Sequence, residues 1–271
     1  MTPANGQVAH RSLKGKVAAE RFVDGEAGAI ATALADLLSA PDGARDRQLL
    51  RGDPLLVLQR QGSHAFVQSG KDGYCGYVAL TSLGPPIRPS HWVSAPATHL
   101  YSKANLKSPE RASLSLGARL EIVGETGAFA ECHDGLFVPL CHLRAVGEGF
   151  DDPASVAEMF LGTPYLWGGN SRAGLDCSGL VQAAFLACGI PCPADSDQQW
   201  HALGRLLPPG AVPRRGDLFF WKGHVAMACD GERLIHANAH RMATSYEPIS
   251  EAMARIAAAE GSESYLGHRR L

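Results

Sequence analysis

The sequence predicts an α+β protein in which two small β-barrels precede a larger domain where helices come before a run of strands. Three observations carry this. The first half holds two copies of one pattern of short strands and Gly turns. From residue 152 the apolar spacing turns helical, and after residue 215 it becomes three short apolar runs split by turn dipeptides.

In chain order, residues 1–30 match neither copy and read as an N-terminal arm. The first barrel is assigned to 31–88 and the second to 93–148. "RGDPLLVL" (51–58) aligns without a gap on "LGARLEIV" (116–123), Gly on Gly and apolar on apolar. A Phe follows in each (Phe66, Phe129), then Asp-Gly (Asp72-Gly73, Asp134-Gly135). The copies close as "YVALTSL" (77–83) and "FVPLCHL" (137–143). The proline-rich stretch 84–92 is the expected linker. In the third domain, 152–271, Asp152-Pro153 opens a short helix. "CSGLVQAAFLACGI" continues as a second helix, with Leu180, Val181, Ala184, Phe185 and Cys188 on one side and Gly189 as its stop. "GDLFFWKG", "HVAMACDG" and "RLIHANAH" are three strands.

Composition excludes several function classes. With 45% hydrophobic and 19% charged residues the chain is not disordered. A net charge of −2 gives no electrostatic case for nucleic acid or an anionic membrane. No apolar run approaches the roughly 18 residues of a membrane span. The N-terminus lacks the apolar core of a signal peptide. Seven irregularly spaced cysteines argue against a disulfide framework and fit a reducing compartment, so the expected location is the cytoplasm.

Cys177 is the cysteine with a chemical context. It stands at the start of the second helix, where unpaired N–H groups and the helix dipole favour a thiolate. Asp176 is a suitable cap, but its carboxylate opposes ionisation of its neighbour, so a positive partner is needed. His224 opens one strand and His236 follows twelve residues later on the next, with His240 also available. A two-residue loop at Asp230-Gly231 pairs 224 with 237 and turns His236 away. A three-residue loop with a Gly bulge pairs 224 with 238 and brings His236 beside His224; the longer loop is the expectation. His224 then serves as base and acid for Cys177, and His236 fixes its tautomer. The doublets Cys132-His133 and Cys141-His142 invite a zinc reading. The repeat opposes it, because Cys141-His142 stands where the first barrel has Thr81-Ser82. No metal or other cofactor is expected.

"LGTPYLWGGNSRAGLDCSGLVQAAFLACGI", "GDLFFWKGHVAMA" and "LIHA", in that order, resemble the NlpC/P60 type of bacterial cell-wall cysteine endopeptidase over roughly residues 152–271. The two barrels resemble the bacterial SH3-like domains that precede such catalytic domains. The resemblance implies a papain-like catalytic fold that hydrolyses the γ-D-glutamyl–diamino acid bond of peptidoglycan-derived peptides. It implies Cys177 as nucleophile, His224 as base and His236 as the third polar residue. It also places the Tyr165 hydroxyl, with the Cys177 N–H, at the oxyanion. The resemblance extends to a dipeptidyl-peptidase subgroup that reads a free N-terminal L-Ala. Its amine-binding candidates here are Asp176, Ser178 and Ser196, with Asp53 and Tyr74 from the first barrel, which then has to dock at the cleft. Asp53 and Tyr74-Cys75 lack counterparts in the second copy, which suggests a task beyond folding.

Two departures concern substrate preference. Ala194 replaces an arginine common after the catalytic helix, and Asp53 is one methylene shorter than the usual glutamate. The function expected is a recycling enzyme acting on wall peptides, with no nucleic-acid or membrane partner. The alternatives are a non-catalytic wall-peptide sensor and a papain-like amidase or transferase. The sequence leaves open diaminopimelate versus lysine, and also the oligomeric state, with which a monomer is compatible.

Overall fold

The computed structural model describes residues 2–271. It divides into a unit ending at Val146 and a unit Gly147–Leu271.

In the first unit the repeat appears strand for strand. Leu34–Leu38, Arg45–Leu50, Pro54–Gln61, His64–Ser69 and Cys75–Ala79 form one copy, closed by a 3-10 turn at Leu80–Ser82. Ala97–Tyr101, Glu110–Ser115, Ile122–Thr126, Phe129–Cys132 and Phe137–Pro139 form the other, closed by a 3-10 turn at Leu140–His142. Alternating apolar residues fill each interior: Leu37, Leu49, Val57, Val67 and Val78 in one, and Leu100, Leu114, Leu120, Ala130 and Val138 in the other. The shared glycine has a backbone reason. Gly52 and Gly117 both take left-handed φ, +77° and +94°, and a Cβ on Gly52 would stand 2.3 Å from the Arg119 carbonyl oxygen.

Two expected boundaries move. Glu26–Ile30 is a strand of the first barrel's sheet, paired with residues 54–57, so the barrel begins before residue 31. The remaining arm is also tied down. Val8 is fully buried against Leu58 and Phe66, and Asn5 donates to Gln59 and to the Tyr77 hydroxyl. The expected linker is shorter than 84–92, because Leu83–Gly84 and His91–Val93 both pair in sheets.

The second unit is α+β. Helix α1 spans Pro153–Glu158, α2 Cys177–Ala187, α3 Ser196–Ala202 and α4 Ile249–Glu260. The Asp152 side chain caps α1 by accepting from the Ala154 N–H at 3.0 Å. Past the end of α2, Gly189 takes φ +72°. Six antiparallel strands make one sheet, in the order Arg205–Leu206, Tyr265–Arg270, Leu218–Trp221, His224–Ala228, Arg233–Asn238, Ala243–Pro248. Helix α2 packs against the His224 and His236 strands. Helix α4 lays Ala252 and Ile256 on a cluster of Phe219, Trp221, Ala226, Ala228 and Leu234. The Ala243–Pro248 strand, α4 and the last strand extend the fold beyond the three strands read from the sequence.

Candidate active site

The site is assembled from the start of α2, the loop before it and three neighbouring strands. Cys177 is the first residue of α2 and 8% exposed. Asp176 caps the helix: Oδ1 accepts from the Gly179 N–H at 2.6 Å and from the Ser178 hydroxyl at 3.1 Å, and Oδ2 accepts from the Gly168 N–H at 3.0 Å. Three donors thus disperse the charge that the sequence set against the thiolate. They also join the Tyr165–Gly169 loop to the helix start. Only glycine fits at position 179, where a Cβ would lie 2.4 Å from the Gly169 carbonyl oxygen. The Asp-Cys-Ser-Gly order is therefore a packing requirement as well as a chemical one.

Tyr165 is anchored through its backbone N–H to the Met242 carbonyl at 2.9 Å. Burial, then the negative potentials of Cys177 and Asp176, push its hydroxyl up to about 12. At neutral pH it is an O–H donor. Ser178 is buried on α2. Ser196 starts α3, and the buried Gln199 of α3 donates to the Ser178 carbonyl at 3.0 Å, holding the two helices together.

His224 and His236 meet. His224 Nε2 lies 2.9 Å from His236 Nδ1, and His236 is fully buried while His240 is exposed. The register explains this. Met227 pairs with Ile235 and Ala228 with Leu234, which extrapolates to 224 opposite 238, as the three-residue loop requires. The loop residues are Asp230, Gly231 and Glu232, but the expected glycine bulge is absent, since Gly231 does not take positive φ. The Asp230 carboxylate closes the turn instead, accepting from the Glu232 and Arg233 N–H groups at 2.8 Å each. Trp221 faces His224 across the Lys222-Gly223 turn, with ring centroids 5.7 Å apart.

One participant was not found in the sequence. Glu247, buried on the next strand, brings Oε2 to 2.9 Å from His236 Nε2, off the axis of the ring N–H. Arg255 of α4 grips the same carboxylate with two hydrogen bonds of 2.8 Å. The hydrogen bonds from Arg255 and then the adjacent His236 ring hold the Glu247 carboxyl far below the usual carboxylate range. Burial, then His236 and Arg255, push the His224 imidazolium down to about 3, with Glu247 opposing them. The register accounts for the contact: His236 is opposite Ser245 and Leu234 opposite Glu247, so His236 and Glu247 are same-face diagonal neighbours.

The two first-barrel candidates are placed within their own unit. Asp53 is buried; its Oδ2 accepts from the Leu50 N–H at 2.9 Å and pairs with the Lys71 ammonium at 2.8 Å. The ammonium it holds is the chain's own. Tyr74 packs against the first barrel's core. At the zinc candidates, His142 Nδ1 stands 2.7 Å from the Thr98 hydroxyl. Among the described residues no group of three or more His, Cys, Asp or Glu is arranged to hold a metal ion.

Comparison with known proteins agrees with this architecture. Residues 162–259 match the NlpC/P60 family, and residues 37–83 match the bacterial dipeptidyl-peptidase Sh3 domain. The chain is 30% identical over 224 residues to the gamma-D-glutamyl-L-lysine dipeptidyl-peptidase of Bacillus subtilis (strain 168), covering 72% of this chain and 73% of that one. It is 33% identical over 109 residues to the peptidoglycan endopeptidase RipB of Mycobacterium tuberculosis, covering 34% of this chain and 44% of RipB. The solved structure of an NlpC/P60 family protein from Bacillus cereus ATCC 10987 superposes with a TM-score of 0.75 over 90% of this chain and 99% of that one, at 22% identity. By its fold, its domain order and its similarity to the B. subtilis enzyme along most of both chains, this chain belongs to the NlpC/P60 family.

Proposed function

We propose that the protein is a cysteine peptidase that hydrolyses the γ-D-glutamyl–diamino acid bond of peptidoglycan-derived peptides and releases L-Ala-γ-D-Glu. The observation that carries this is the His224–His236 pair, on strands against which the helix begun by Cys177 packs. Similarity to a protein named a gamma-D-glutamyl-L-lysine dipeptidyl-peptidase supports the bond and the dipeptide product.

In the proposed reaction His224 takes the Cys177 thiol proton and the sulfur attacks the side-chain carbonyl carbon of D-Glu. The carbonyl oxygen becomes an oxyanion that accepts from the Tyr165 hydroxyl and the Cys177 backbone N–H. His224 returns the proton to the departing amine as the C–N bond breaks, leaving a thioester. Water then attacks the thioester; His224 takes its proton and gives it back to the sulfur, and the dipeptide leaves as a free acid. The neutral His224 favoured by burial is the form that can act as base.

A free N-terminal amine, a role in recycling and a cytoplasmic location belong to the same proposal. Of the expected amine ligands, Asp176 retains acceptor capacity beyond its three donors, while Asp53 is already paired with Lys71. The proposal therefore does not depend on Asp53.

The test is incubation with L-Ala-γ-D-Glu-meso-diaminopimelate, its L-lysine counterpart and the N-acetylated form of each, followed by mass spectrometry. Release of L-Ala-γ-D-Glu from a free peptide, abolished by Cys177→Ala, supports the reading. Equal cleavage of the acetylated peptides overturns amine recognition. No cleavage of any peptide overturns the peptidase assignment in favour of wall-peptide binding.

A further inference from the structure

We propose that Glu247, clamped by Arg255, is a positioning residue that sets the tautomers of both histidines and so presents the His224 Nδ1 lone pair as the base. This deepens, and for its kinetic part rests on, the peptidase reading above.

The argument runs outward from the arginine. Arg255 offers only donors, and its two hydrogen bonds of 2.8 Å orient both oxygens of Glu247. An ionised carboxylate has no proton to offer and would repel a ring lone pair 2.9 Å from Oε2, so that nitrogen carries the proton even though its N–H points off the Oε2 axis: His236 is Nε2–H. In the neutral ring Nδ1 is then a lone pair. His224 Nε2, 2.9 Å away, must donate to it. The His224 proton is thereby committed to Nε2, and Nδ1 is left with the lone pair a general base needs. When His224 takes up the thiol proton, the imidazolium still donates to His236, and Glu247 is the buried negative charge behind the pair.

His236 alone cannot make this choice, because a neutral imidazole donates as readily from one nitrogen as from the other. The decision needs a group that cannot donate, and Glu247 is that group. The charged groups that act on His224 besides His236 are Arg255 from α4 and Glu247 from its strand. The Trp221 ring lies beside it, and the helix begun by Cys177 packs on both histidine strands. The sequence signal was weak: a lone Glu in "ATSYEPIS", followed eight residues later by an Arg on a helix.

The experiment uses 15N-labelled histidine in the full-length Cys177→Ala protein at neutral pH, which needs no substrate. Long-range 1H–15N spectra report which nitrogen of each ring is protonated, with His224→Gln and His236→Gln giving the assignments. The expected result is Nε2–H for both rings. In the double variant Glu247→Leu/Arg255→Met, which removes both charges together so that neither is stranded, both rings should show a mixture of tautomers. Unchanged tautomers in that variant, with its fold confirmed by circular dichroism, would overturn the proposal, and so would Nδ1–H on His236 in the parent. In the active protein, Glu247→Gln should lower kcat/KM by about tenfold to a hundredfold, mostly through kcat. In a His236→Gln background it should cost less than threefold, because its effect passes through His236. A full further loss there would make Glu247 a merely structural residue. If the spectra behave as expected and no peptide is cleaved, the peptidase reading fails and the positioning role stands.

Discussion

The second unit contains several arginine–carboxylate pairs, and two of them, of similar chemistry, lie in instructively different settings. Arg215 lies toward the surface and ties Asp152 and Glu158 to the Cys229 carbonyl, joining α1 to the end of the His224–Ala228 strand. Arg255 grips one carboxylate, Glu247, which is almost wholly buried and also touches His236. In the first cluster the partners of Arg215 are two carboxylates, the Ser155 hydroxyl and a backbone carbonyl, none with a proton to place on one of two nitrogens, and the hydrogen bonds hold two elements together. In the second, an oxygen of the carboxylate that Arg255 holds also meets a ring whose proton can sit on either nitrogen. The same clamp becomes chemically informative only where it ends on a group with a choice. Exposure separates the clusters further, since the Arg215 and Asp152 side chains are each 38% exposed and water screens their pairing.

The comparison can be broken by substitution, beginning with the largest effect. Cys177→Ala should abolish turnover while leaving the midpoint of thermal unfolding within a few degrees; a cysteine needed only for packing would show the reverse. His236→Ala, which disconnects Glu247 from His224, should lower kcat/KM by about 10³-fold in a continuous peptidase assay. Tyr165→Phe should lower it by about 10²-fold, with little change in KM, if the hydroxyl donates to the oxyanion. Arg215→Ala should do the opposite of all three. We expect a loss of about 1–2 kcal/mol of unfolding free energy by denaturant titration, already discounted for exposure, with kcat/KM within twofold. A large loss of activity without a loss of stability in Arg215→Ala would erase the distinction between the clusters.

Acid titration sharpens the contrast, because the two groups begin to lose stability at different pH. His224 is harder to protonate in the folded protein than its ordinary 6.5, so below that pH the unfolded chain binds the extra proton. Stability therefore falls as pH drops from 6.5 toward about 3. In Glu158 the hydrogen bond from Arg215 lowers the carboxyl; in Asp152 burial raises it, but hydrogen bonds from Ser155 and Arg215 outweigh burial. Their stabilisation is present above the ordinary values, 4.5 for Glu158 and 3.8 for Asp152, and is lost as pH falls below them. His224→Gln should reduce the slope from about pH 6.5 downward, where His268, also held down by burial, contributes too, and Arg215→Ala should reduce it only below about 4.5, read from unfolding free energies at a series of pH values.

Most of the fold was legible because it rests on local signals. The repeated Gly52 and Gly117 mark one strained turn in two copies, and Asp152-Pro153 writes its own helix cap. The histidine pairing was legible because strand register follows loop length, and three loop residues bring His236 to His224. Two features were not legible. The turn at Asp230 is closed by a side-chain carboxylate rather than by a glycine bulge, a choice that loop length does not decide. Glu247 and Arg255 come together only once a further strand and α4 are in place, and nothing in their local sequence distinguishes them from solvated charges. The partners of Asp53 were equally hidden, since its pairing with Lys71 crosses two strands of the first barrel.

The account stands on Cys177 as the sulfur that carries the dipeptide. Rapid mixing with L-Ala-γ-D-Glu-meso-diaminopimelate and its lysine counterpart, acid quenching and mass spectrometry of the intact protein and its peptides test this directly. The account predicts a thioester adduct of L-Ala-γ-D-Glu on the peptide containing Cys177, formed before free dipeptide accumulates and absent in Cys177→Ala. Dipeptide release that persists in Cys177→Ala, or an adduct on any of the other six cysteines, would contradict it.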